Sequence, residues 1–288
     1  TNKKDWALRP LDHFILSKLE NKGMEPTDDA DRHRWIRRVS LDLTGLPPSP
    51  KDADAFAADK SEDAHEKVVD RLLASEAYGE HWARMWLDLA RFADTKGYEK
   101  DRHRDVWRYR DWVIDSFNRD MPFDQFTVEQ LAGDMLPEPT SSQILATAFH
   151  RNTMENDEGG TDNEEFRVAA VKDRVDTTVQ VWMGLTMGCA KCHSHKYDPI
   201  SIRDYYSFYA VFNQTEDADQ AAPVMPFPTA GQSAGIKEME DRISALKERI
   251  KEKPDGFAEA LAKWKKQLQR NPLWQPLKLL KMESKRGV

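Results

Sequence analysis

The sequence predicts an all-α protein, an irregular multi-helix domain followed by a helical hairpin. Three observations carry that expectation. Apolar residues recur at three- and four-residue intervals along most of the chain, the period of a helix with one buried face. Cap residues and glycine or proline stops bracket these stretches at helical lengths. No segment alternates apolar and polar residues as a half-buried strand does.

The elements follow in order. Pro10 opens a helix with Leu11, Phe14, Ile15 and Leu19 on one face and Gly23 just past its end. A second runs over residues 31–43, stopped by Gly45 and the Pro47-Pro48 pair. Ser49 with Pro50 and Asp52, then Ser61 with Ala64, begin two short helices by N-cap logic. Residues 78–93 carry a stripe of Trp82, Met85, Trp86, Leu89 and Ala93, and 105–117 one of Val106, Tyr109, Val113 and Phe117. Asp124 is expected to cap a helix ending near Gly133, and Ser141 or Ser142 one reaching Phe149.

The stretch 154–163 is polar, contains Gly159-Gly160 and reads as a loop. A long helix over 164–186 follows, with Val168, Val171, Val175, Val179 and Trp182 on one side, and Gly184 and Gly188 bracketing its end. Ser201 and Asp204 cap an aromatic helix containing Tyr205, Tyr206, Tyr209 and Phe212. Residues 1–215 therefore form the main domain. An Ala/Pro/Gln/Gly-rich linker or loop spans 216–235. Charged amphipathic helices at 236–253 and 257–269 form an antiparallel hairpin within 236–270, with a seam of Ile236, Met239, Ile243, Leu246 and Ile250. The stretch 271–288 reads as the start of a further module.

Composition narrows the classes. A chain 39% hydrophobic and 32% charged can bury a sizeable core beneath a solvated surface. Its net charge of −7 argues against nucleic acid as a partner, because no basic surplus is present to neutralise phosphates. No apolar run reaches the roughly 20 residues of a spanning helix, so no transmembrane segment is expected. The chain opens at Thr1 without a charged-then-apolar leader, and that start reads as a processed chain or a piece of a longer one.

Both cysteines fall in one short window, Cys189-Ala190-Lys191-Cys192-His193, the attachment pattern of haem c. Two thiols at this spacing can each form a thioether with a porphyrin vinyl group, and the next residue then lies beneath the iron as an axial ligand. Gly188 is expected to let the backbone approach the macrocycle. A zinc site built on Cys189, Cys192 and His193 or His195 is an alternative, but no second Cys-x-x-Cys supplies the remaining donors. A thioredoxin-like dithiol expects a strand before the motif, and here a helix precedes it. Chance occurrence is the bland alternative. Thioether attachment takes place outside the cytoplasm, so haem implies a periplasmic or exported protein. His150 is the candidate second axial ligand, although a lone histidine at a helix end is more often a cap. His195 lies too close along the chain to reach the opposite haem face. Met154, Met183 and Met187 are alternatives, the latter two read as core, and an open sixth position is equally allowed.

From Cys189 to Ile200 the sequence resembles the second Planctomycete-specific cytochrome domain. Arg-Val-Ser-Leu-Asp-Leu-Thr-Gly-Leu-Pro-Pro at 38–48, Trp-Leu-Asp-Leu-Ala-Arg-Phe-Ala-Asp at 86–94, and the segments 109–114, 129–134 and 150–167 are similar to the same family. The resemblance covers about residues 9–214. It implies a large, exported, multidomain protein, with a cytochrome c domain before this one and a further domain after it. Polysaccharide breakdown is a frequent setting for such proteins, and the family's activity is not settled.

Two function classes follow. In the favoured one, an oxidoreductase, haem takes electrons from a carbohydrate-derived substrate in a polar pocket. Asp94, Tyr98, Glu158 and Arg167 are its candidate catalytic residues, among Arg91, His150, Arg151, Asn152, Glu164, Glu165, Lys196 and Asp198. In the other, the domain passes electrons to a redox partner or neighbouring haem domain. For any single charged residue, pairing at a helix end is the competing explanation.

Overall fold

A computed structural model describes residues 6–156, 158–215, 224–253 and 255–270. Helices dominate the described residues, and their sole bridge of β type joins Thr95 to His103. The fold is all-α. None of the described helices is long and apolar enough to cross a membrane. The chain divides into two units, Thr1–Met225 and Pro226–Val288.

Ten helices of the first unit are described: α1 (Pro10–Glu20), α2 (Arg32–Thr44), α3 (Pro50–Ala58), α4 (Ala64–Leu73), α5 (Glu76–Leu89), α6 (Trp107–Asn118), α7 (Phe123–Ala132), α8 (Ser141–Ala146), α9 (Asn163–Met183) and α10 (Ile202–Phe212). Short 3₁₀ turns lie at Gly133–Met135, Thr147–Arg151 and Met187–Lys191. Several caps match the sequence reading. The Asp31 carboxylate accepts from the Arg34 amide at 2.9 Å, Ser49 caps α3, and Ser201 with Asp204 closes a capping box on α10. Others differ. Thr140, not a serine, caps α8 through a box with Gln143, and Pro122 precedes α7 with Asp124 inside the first turn. Helix α5 ends at Leu89, short of Ala93, because Arg91 turns left-handed with φ 58°.

Three apolar clusters organise the unit. Ile36, Phe56, Ala64, Val68 and Leu72 join α2, α3 and α4. Trp86, Tyr109, Trp112, Val113, Phe126 and Phe149 join α5, α6, α7 and the turn after α8, with Trp182 of α9 packed against them. Each such side chain contributes about 1.5–3 kcal/mol on full burial. Gly79 allows α5 and α6 to approach closely, since a Cβ there would lie 2.5 Å from the Ile114 carbonyl. Within this core, Gln130 Oε1 accepts from Trp86 Nε1 at 2.8 Å and from the Tyr109 hydroxyl at 2.7 Å. The Gln130 amide in turn donates to the Phe126 carbonyl at 3.1 Å, so these polar groups are buried without loss. The third cluster, Val171, Val175, Val179, Met187, Ala190, Tyr205 and Phe212, joins α9, the last 3₁₀ turn and α10.

The first helix corrects its sequence reading. Leu16 is the residue it buries, while Leu11, Phe14 and Ile15 are exposed. Periodicity finds an apolar stripe but not the neighbour that covers it.

The second unit contains α11 (Ala230–Lys251) and α12 (Phe257–Arg270). Thr229 caps α11 through a box with Gln232, so the last residues assigned to the linker are helical. The seam residues Ile236, Met239, Ile243, Leu246 and Ile250 are exposed, as are Phe257 and Trp264 of α12. Both helices of the expected hairpin form, but their seams are not closed. Residues 216–223 of the expected linker and the stretch 271–288 lie outside the described residues.

Candidate functional site

Helix α9 delivers the chain to the cysteine motif. Asp162 caps its start, accepting from the Glu164 amide at 2.9 Å, and Gly184 ends it in the left-handed region at φ 65°. The 3₁₀ turn Met187–Lys191 follows, with about 3 residues per turn, so positions three apart share a face. Met187 and Ala190 face the α9–α10 core, whereas Cys189 and Cys192 are both exposed free thiols. The turn is held from two sides. The Tyr206 hydroxyl donates to the Lys191 carbonyl at 3.0 Å, and the Lys191 ammonium pairs with Asp176 of α9.

The histidines differ sharply. His193 is exposed, and its Nδ1 lies 2.8 Å from the Ser194 carbonyl oxygen. A carbonyl only accepts, so Nδ1 donates and the neutral ring carries its lone pair on Nε2. Metal-ligating histidines commonly have this arrangement. The side chain of His195 is buried. Its Nδ1 lies 2.9 Å from the Asp198 amide and 3.3 Å from the Tyr197 amide, and 3.2 Å from an Asp198 carboxylate oxygen. Two amide donors require a lone pair on that nitrogen, which places the ring proton on Nε2. His195 organises the loop 195–200, where its own amide donates to the Ile200 carbonyl at 2.8 Å.

His150 sits elsewhere. Its ring packs against Phe149 and Phe212, and Nε2 lies 3.3 Å from the Leu131 carbonyl. Phe212 follows Tyr206 on α10 by six residues, about 9 Å along the helix. The structure thus seats His150 at the far end of α10 from the point where Tyr206 meets the motif. Met187 is core, Met183 is exposed, and Met154 covers Gly97. A Cβ at Gly188 would stand 3.4 Å from Asp176 Oδ2, an ordinary contact distance, so the Asp176 carboxylate lies next to this position.

Of the four candidate catalytic residues, Arg167 lies on α9, Tyr98 packs against its first turns, and Asp94 and Glu158 lie in loops. Tyr98 has a left-handed backbone with φ 48°, and its ring lies edge-on to Phe166. Burial, then the carboxylates of Asp173 and Glu99, push its phenol up. Arg167 grips both carboxylate oxygens of Glu164 at 2.8 Å and donates to Asn213 Oδ1 at 3.0 Å. That bond to Arg167 holds the Glu164 carboxyl below its ordinary value. Glu158 is exposed, on a loop tied by Asn156 and Thr161. The Asp94 carbonyl accepts from the Arg104 amide at 2.8 Å.

Sequence reasoning missed the residues that hold these loops. Arg104 is buried and donates to the carbonyls of Arg151 at 3.0 Å, Thr153 at 2.7 Å and Ala93 at 3.3 Å. Arg174, also buried, donates to the His150 carbonyl at 3.0 Å. Asp173 receives both guanidinium nitrogens of Arg91, and Asp176 receives Lys191. The three-residue spacing of Asp173 and Asp176 was a readable signal, because it puts both on one side of α9.

The donor set tests which group the turn suits. A closed zinc site takes four protein donors, and no three His, Cys, Asp or Glu side chains gather to hold a metal among the described residues. Two exposed thiols and one imidazole with an open Nε2 are groups that could hold a c-type haem, the thiols on its vinyl carbons and the imidazole on its iron. These features define a class: an all-α domain presenting a Cys-x-x-Cys-His turn at its surface. The chain belongs to the PSCyt2 family, described as a protein of unknown function (DUF1549), which it matches over residues 10–217. This is a Planctomycete-type, cytochrome-like family. No curated protein and no solved structure matches the chain.

Proposed function

We propose that this chain is a c-type haem redox module of an exported multidomain protein. Cys189 and Cys192 would hold the haem through thioethers, and Nε2 of His193 would ligate its iron. One observation carries the reading: both thiols are exposed, one on the turn and one just past it, beside a histidine whose Nδ1 is committed to a carbonyl. Each thiol adds across one vinyl group, sulfur to one carbon and hydrogen to the other, so attachment needs no oxidant. Haem supplies one-electron chemistry when bound. The chain's own residues tether it, orient the imidazole and fix the turn, and a redox partner or neighbouring haem domain receives the electron. Attachment outside the cytoplasm makes the protein periplasmic or exported.

A second reading, an oxidoreductase acting on a carbohydrate-derived substrate, is favoured by the loop after α5. Arg91, Tyr98 and Asp101 all have positive φ there, and such strain concentrates at functional sites. Tyr98 keeps a protonated, partly exposed phenol in that loop, able to donate to a substrate oxygen.

Production with the c-type maturation machinery tests both readings. Covalent haem and a reduced-minus-oxidised α band are expected, reduced in Cys189→Ala and Cys192→Ala and spectrally altered in His193→Ala. Wild-type protein without covalent haem overturns the proposal. A spectrum unchanged in His150→Ala removes that residue as a second ligand. Reduction of the holoprotein by a sugar panel, lost in Tyr98→Phe, supports the enzyme reading, and no reduction by any sugar sinks it.

A further inference from the structure

Asp176 has no place in the attachment chemistry, yet it meets the turn at two points. Its carboxylate pairs with the Lys191 ammonium, and it lies against the bare face of Gly188, 3.4 Å from where a Cβ would stand. The pair is partly shielded, with Lys191 and Asp176 side chains 34% and 27% exposed. The other carboxylate oxygen is buried without a hydrogen-bond partner. Nearby, the wholly buried phenol of Tyr205 is pushed far up by burial, with Asp176 the next cause.

A half-buried carboxylate beside Val175 and Val179 is unfavourable unless something compensates it. Its compensation comes from the motif turn. That turn needs support, because 3₁₀ hydrogen bonds are poorly aligned and short 3₁₀ segments readily rearrange. If it unwound, Cys189 and Cys192 would no longer share an outer face. We propose that Asp176 is the positioning residue of the haem-attachment turn, clamping Lys191 and backing Gly188 so that both thiols face outward. This rests on the haem reading. In a haem-loaded chain the negative charge of Asp176, next to the attachment turn, would favour oxidised iron and lower the reduction potential, and Lys191 would oppose it.

The test uses the full chain and the variants Asp176→Asn and Lys191→Met. In protein made without haem, amides of residues 187–192 exchange about five-fold faster in either variant, equivalent to ~1 kcal/mol. In haem-loaded protein the midpoint potential rises in Asp176→Asn and falls in Lys191→Met, opposite shifts that general loosening would not produce. Asp176→Asn also lowers the fraction of chains carrying both thioethers. Wild-type exchange rates in both variants, or one common potential, overturn the proposal. If the wild type takes up no haem, the haem reading fails, and exchange alone still decides whether Asp176 holds the turn.

Discussion

The segments 91–106 and 150–173, two loops with the first turns of α9, turn their charged groups on each other, whereas the turn 187–193 leaves its donors exposed. In these segments, Lys96 meets Glu155 at 3.3 Å, Arg91 meets Asp173 of α9, Arg167 meets Glu164 within α9, and Arg104 gathers three carbonyls. In the turn, Cys189, Cys192 and His193 are exposed, with His193 engaged through Nδ1 alone, while Lys191 between the thiols is tied down. A dense charged cluster is therefore weak evidence of chemistry on its own, because buried loops need such partners to satisfy their backbone. Polar atoms held in place but left available are stronger evidence.

The largest expected effect breaks the loop side. Arg104→Met removes the donors for the carbonyls of Arg151, Thr153 and Ala93, and urea unfolding should show a loss of about 3 kcal/mol or more. A loss under ~1 kcal/mol would remove Arg104 as the organiser of these loops. Next comes Gly79→Ala, whose Cβ meets the Ile114 carbonyl between α5 and α6; thermal unfolding should register about 1–3 kcal/mol.

Alkaline titration separates buried from exposed phenols. Burial raises Tyr109 and Tyr205 well above their ordinary value of 10.0. Folding with these groups protonated gives stability fully present below pH 10.0, lost as pH rises toward their folded values. Tyrosinate absorbance should show both ionising only as the protein unfolds. Their ionisation with the exposed phenols in the folded state would contradict the packing.

The smallest effects sharpen the turn side. Cys189→Ala, Cys192→Ala and His193→Ala in haem-free protein should stay within about 0.5 kcal/mol of wild type, since all three are exposed. A large loss would make the motif structural. The Glu164–Arg167 pair is also minor. Its depressed carboxyl contributes stability present above the ordinary value of 4.5 and lost as pH falls through the folded value. Arg167→Gln should flatten that part of the acid profile by slightly lowering stability at neutral pH, with little change at low pH.

Much of the helix order was legible because its signals are local. Asp31, Ser49, Gly45, Gly184 and the Ser201–Asp204 box act within a few residues of where they stand, so sequence spacing reveals them. The early end of α5 was not legible, since nothing local to Arg91 announces a left-handed residue; its guanidinium is held by Asp173, far along the chain. Likewise the stripes on α1 and α11 were visible as apolar patterns, but whether another surface covers them depends on other elements.

The sequence by itself determined the helical class and the two thiols followed by an imidazole, because periodicity, capping and side-chain chemistry are properties of short segments. Tertiary structure decided which of these are free to act. It turned Met187 and Ala190 inward and Cys189 and Cys192 outward, committed His195 to its own loop, and seated His150 at the far end of α10. It also brought the Asp176 carboxylate of α9 against Gly188 of the turn that follows. Such outcomes depend on which surfaces pack together, and no local pattern encodes that.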